Sequence, residues 1–144
     1  MRRPLLYLSH YFKQHREAYY DHLQAVRDGG QWERWLKFFL RGVLEVAEEA
    51  TTTAQAIVSM REEQLKLVGK HFGRGAQKAL LLLEGLYFRP HLSVAATASI
   101  TGLTFPNANT LVAQFVELGL LIEVTGRRRD RRFMFGPYVD ILNR

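Results

Sequence analysis

The sequence contains no cysteine, which excludes disulfides and thiolate metal sites and leaves the redox compartment unmarked. No uncharged apolar stretch reaches the roughly 18 residues that a membrane-spanning helix needs. The phosphate-cradling patterns GxxxxGK[ST] and GxGxxG and the nucleophile pattern GxSxG are all missing. His10, His15 and His22 do not repeat at the spacing of a helical metal pair, and no thiol joins them. Glu48-Glu49 and Glu62-Glu63 are adjacent pairs, which point away from each other on a helix and so suit no acid/base pair. The start, MRRPLLYLSHYF, lacks a long apolar region and a small-residue cleavage site, which argues against a signal peptide. No cofactor is implied, and a cytoplasmic protein is expected.

What is present is an ordinary globular composition with a basic excess. Of 144 residues, 47% are hydrophobic and 24% charged, so a folded chain of one domain or two small ones is expected. The formal charge of +6 permits a polyanionic partner without requiring one.

Helical spacing dominates the first half. Ser9 is a plausible N-cap for a helix carrying Tyr11, Phe12, His15, Tyr19, His22, Leu23 and Val26, and Asp28-Gly29-Gly30 stops it. A second pattern runs from Trp32 to about Val68, with a bend or break possible at the β-branched run Thr51-Thr52-Thr53. Trp32, Trp35, Phe38 and Phe39 read as core residues or as an interface. So long a helix cannot bury its stripe on itself; it needs the first helix, another chain or a further part of a larger protein, and a homodimer through it is expected. The segment His71–Gly75, with two glycines, reads as a linker and a domain boundary. The expected domains are therefore 1–70, helical, and 77–144.

The second half has a different order. A helix over Gln77–Phe88 is followed by an extended piece at Leu92–Val94 and a short helix over Val94–Thr101 ended by Gly102. Thr104 is a good N-cap for a helix over Phe105–Leu118, with Pro106 in its first turn and Gly119 beyond its end. Leu120–Thr125 and Phe133–Phe135 read as a hairpin, and Pro137–Leu142 as a last helix. The fold class is mainly α: a helical segment, then a winged helix-turn-helix domain with a small β-hairpin.

In such a domain the third helix enters the major groove by its N-terminal residues. Here these include Thr104, Asn107, Asn109 and Thr110, whose side chains suit adenine edges or phosphates. The asparagines are also simply good helix-start residues. The turn that follows holds Arg127, Arg128, Arg129, Arg131 and Arg132, interrupted only by Asp130. As a wing it would lie against phosphates; as a solvated hairpin tip it would do nothing more. DNA is the expected partner.

The text PLLYLSHYFKQHREAYYDHLQAVRDGGQWERWLKFFLRGVLEVAEEA resembles the part of Fic-family proteins that follows their catalytic loop. TGLTFPNANTLVAQFVELGLLIEVTGRRRDRRFMFGPYVDIL resembles the C-terminal winged-helix domain of many bacterial Fic proteins. The family transfers AMP from a nucleotide to a protein hydroxyl, using a loop HxFxxGNGR. That loop is absent: His71-Phe72-Gly73-Arg74-Gly75 lacks its spacing and its asparagine. The resemblance thus implies the back half of a Fic protein, without AMP-transfer activity of its own. It leaves open a DNA-binding module with a regulatory role, a fragment of an AMP transferase whose loop lies upstream, or a protein–protein interaction module.

Overall fold

The computed structural model describes residues 7–143. The first six residues of the start MRRPLLYLSHYF, read above as no signal peptide, lie outside them. The protein is mainly helical with one small antiparallel sheet, and it divides into two compact units, Met1–Gln55 and Ala56–Arg144. Among the described residues no helix is long and apolar enough to cross a membrane.

The first unit contains α1 (Leu8–Gln14), α2 (Arg16–Gly29) and the N-terminal part of α3 (Trp32–Phe72). The single helix expected after Ser9 is two. Tyr7 takes the N-cap position, Ser9 lies inside α1, and His15 leaves helical geometry at φ −105°, ψ 40°. The break lets two short helices lay rings on the same stretch of α3. Phe12 sits 6.2, 6.0 and 6.2 Å, centroid to centroid, from Trp35, Phe38 and Phe39. Tyr11 lies 5.5 Å from Phe38, and Tyr19 5.5 Å from Trp35. Ring pairs at such distances contribute about 0.5–1.5 kcal/mol each beyond the area they bury. Gly30, in the left-handed region at φ 63°, ends α2 as expected.

No break occurs at the threonines: α3 runs unbroken for 41 residues. Thr51 and Thr52 donate their hydroxyls to the carbonyls of Ala47 and Glu48, at 2.7 and 2.9 Å. That back-bonding satisfies the two hydroxyls inside the helix.

The second unit begins at Ala56, ahead of the segment expected to be a linker. His71 and Phe72 complete α3, and Gly73–Gly75 form one 3₁₀ turn into α4 (Ala76–Phe88). Leu65, Val68 and Phe72 continue the apolar spacing of α3 and are used by the core: Val68 is fully buried, and Phe72 lies 5.5 Å from Phe115. Then come β1 (His91–Ser93), α5 (Val94–Thr101), α6 (Phe105–Glu117), β2 (Leu121–Glu123), β3 (Arg132–Phe135) and α7 (Gly136–Leu142). The expected hairpin is part of a three-stranded sheet in the order β1-β3-β2, both pairings antiparallel.

Leu82, Leu83 and Leu86 of α4, Val112 and Phe115 of α6, and Leu121, Phe133 and Phe135 of the sheet make the core. Each such side chain contributes about 1.5–3 kcal/mol by leaving water. Buried threonines are satisfied locally. Thr101 donates to the carbonyl of Thr97 at 2.7 Å, and Thr97 to that of Ser93 at 3.2 Å. Ser93 caps α5 by accepting from the Ala96 amide at 3.2 Å.

Two predictions follow from this packing. Phe133→Ala leaves a void between sheet and helices and lowers unfolding stability by about 3–5 kcal/mol, measured by urea titration. Tyr87, which donates to Gln64 at 2.7 Å, has its pKa raised to about 12, mainly by burial, against 10.0 for the free phenol. The unfolded chain therefore releases this proton first. Stability is unaffected below pH 10 and falls as pH rises toward 12. Tyr87→Phe removes that part of the alkaline loss, and an unchanged alkaline profile would refute the assignment.

Candidate nucleic-acid interface

The turn between α5 and α6 is Gly102-Leu103-Thr104. Gly102 adopts φ 67°, a conformation that strains other residues, and its amide bonds to the Ala98 carbonyl at 2.8 Å. Lys78 of α4, absent from the sequence-based site, donates to the Thr101 carbonyl at 2.7 Å. The last turn of α5 thus has a cationic partner where helix carbonyls are exposed.

Thr104 takes the extended N-cap conformation of α6, but its hydroxyl makes no capping bond. The helix start relies on backbone geometry and on Pro106, whose missing N–H costs nothing there. Ala108, Leu111, Val112 and Phe115 face the core. The other side presents Thr104, Phe105, Pro106, Asn107 and Thr110 to solvent, with Phe105 60% exposed. Thr110 donates its hydroxyl to the Pro106 carbonyl at 3.2 Å, which leaves the oxygen's lone pairs available. From Phe105 to Val116 the helix carries no charged residue.

The cations stand beside it, in the loop between β2 and β3. The Val124 amide bonds to the Arg132 carbonyl at 2.9 Å and the Arg132 amide to the Thr125 hydroxyl at 3.2 Å, closing the base of the loop. Asp130 turns the tip at φ 54°, a region asparagine and aspartate enter more readily than most residues. Arg127, Arg128, Arg129 and Arg132 are exposed. Among the described residues none of these four makes an ion pair.

Arg131 differs. Its guanidinium donates to Asn109 Oδ1 at 2.7 Å, lies 3.8 Å from a Glu123 carboxylate oxygen, and sits 5.3 Å from the centre of the Phe133 ring. It is half-buried, as is Glu123. Two of the expected contact residues, Asn109 and Arg131, are therefore joined to each other across α6 and the loop. Asn109 keeps its amide nitrogen for another partner. Glu123 was not marked by the sequence, because a lone carboxylate at a strand end carries no pattern.

An open, mostly apolar cleft in the first unit is lined by Tyr11, His15, His22, Phe38 and Leu40, with Arg34, Lys37 and Arg41 also in its wall. It contains none of the expected site residues. Among the described residues no group of three or more His, Asp or Glu side chains is placed to hold a metal. No family model matches the chain.

Arg131→Ala removes a charge-assisted bond worth about 1 kcal/mol after allowance for its exposure. Amide hydrogen exchange of Val124 and Arg132 then accelerates while the core amides hold. Equal acceleration throughout the second unit would mean that Arg131 supports the whole fold and not the loop.

Proposed function

We propose that the second unit is a winged-helix DNA-binding module in which α6 enters the major groove and the β2–β3 loop is the wing. The first unit is the carrier segment of a Fic-type chain on this reading, as the resemblance of the sequence suggests. The module acts as a regulator and performs no AMP transfer, since the residues of the Fic loop have no counterpart in the sequence.

The observation that carries the reading is the 2.7 Å bond from Arg131 to Asn109. It holds the arginine loop against the exposed N-terminal half of α6. A helix that can enter a groove and a set of cations that can grip the flanking phosphates therefore share one side of the unit. Asn107 and Thr110 are the residues offered to base edges, with the Asn109 nitrogen beside them. Arg127, Arg128, Arg129 and Arg132 are offered to the backbone, which fixes position and supplies most of the salt-sensitive affinity. The open N–H groups at the start of α6 add a weak attraction for a phosphate.

Fluorescence anisotropy on duplex DNA, titrated with salt, tests this. Each arginine that neutralises a phosphate contributes about 0.9 to the slope of log affinity against log salt. Replacing Arg127, Arg128, Arg129 and Arg132 by alanine weakens binding to all sequences and flattens that slope. Asn107→Ala leaves the slope alone and narrows the gap between selected and random DNA. No binding at low salt, or a slope indifferent to the four substitutions, would remove the proposal.

A further inference from the structure

We infer that α3 is the contact between two copies of this chain, paired antiparallel through Leu36, Leu40, Val43, Ala47, Ala50 and Ala54. This inference does not depend on DNA binding.

The six residues follow one another in alternating steps of four and three. That is the repeat of a helix that meets a second helix along a seam. Leu36, Leu40 and Val43 are 52%, 60% and 41% exposed, and Leu44 beside them 57%. The rings of α1 and α2 do not cover this stripe. They gather on Trp35, Phe38 and Phe39, and Tyr11 packs at Gly42, where an added Cβ would come within 2.5 Å of its ring. At 100° per residue, Phe39 lies about 60° from the centre of the stripe, Trp35 and Gly42 about 100–120° and Phe38 about 160°, so α1 and α2 pack to one side of it. A partner helix can approach without displacing α1 or α2.

The stripe is large at one end and small at the other, which selects its occupant. Laid antiparallel on itself, it places Leu36 against Ala54 of the second copy, Leu40 against Ala50, and Val43 against Ala47. Every layer then has one large and one small residue, so the helix axes stay evenly spaced. A parallel pair would stack leucine on leucine at one end and alanine on alanine at the other, and the axes would have to diverge. A surface that is complementary to itself about a two-fold axis is the mark of an isologous dimer.

Sedimentation of the full chain without DNA, over a wide concentration range, is the test. The wild type sediments as a dimer at high concentration. Leu40→Glu sediments as a monomer with its helical circular dichroism retained. Ala50→Leu overfills its layer and weakens the dimer, whereas Leu40→Ala with Ala50→Leu exchanges large and small and restores it. Because the chain has no cysteine, single replacements report the direction of pairing. Leu44→Cys, close to the two-fold axis, oxidises to a linked dimer, and Leu36→Cys does not. A wild type that is monomeric throughout, a double variant no better than its parents, or ready cross-linking through position 36 would each overturn the inference.

Discussion

The pleat of β3 is the constraint on which the second unit depends. Arg132–Phe135 alternates outward and inward, so that Phe133 and Phe135 are buried while Arg132 faces water. The strand is paired on both edges, with Phe133 opposite Leu92 on one side and Glu123 on the other. A slip of one residue would turn both rings into solvent and drive Arg132 into the core. With the register held by the rings, the chain between Glu123 and Arg132 has no core position to fill. It projects as a loop, and its arginines are displayed because the core has no use for them.

That arrangement separates two physical tasks. From Phe105 to Val116 the exposed side of α6 is uncharged, and hydrogen-bonding groups at Asn107, Asn109 and Thr110 are what it offers. The loop offers charge. On the proposed reading, long-range attraction comes from the loop and selectivity from the helix, so either can change without the other. Arg131 couples them. It is the one arginine of the run held between Asn109, Glu123 and Phe133, and it fixes the angle at which its neighbours present their charge.

Much of this unit was legible in the sequence, for identifiable reasons. Apolar residues at threes and fours located α4 and α6, and glycine marked the ends of α5 and α6, because both signals are local. The third strand was not legible as such: His91–Ser93 is too short for alternation to show, and its pairing with β3 spans about forty residues. The special place of Arg131 was hidden for a related reason. Within a run of identical residues, the one that turns inward is chosen by neighbours distant in sequence, here Asn109 and Glu123. Ser9 misled because a capping residue type is common inside helices too, and the break at His15 is set by rings packing on α3. The threonine run misled because its hydroxyls found carbonyls within the same helix.

The two units handle burial differently. The second closes a core from four helices and a sheet around Phe115, Phe133 and Phe135, all fully buried. In the first, Tyr11 is the only large apolar side chain among the described residues that is buried, and α2 buries none. Packing of rings on one side of α3 leaves Leu36, Leu40, Leu44 and Val43 beside them exposed, where each costs free energy for as long as it meets water. A three-helix unit with so little interior gains stability when that second side is covered, by an amount that grows with the logarithm of the partner's concentration over its Kd. On the inferred pairing, the leucine-to-alanine gradient along α3 matches one copy to the other, and folding of the first unit is coupled to association through α3.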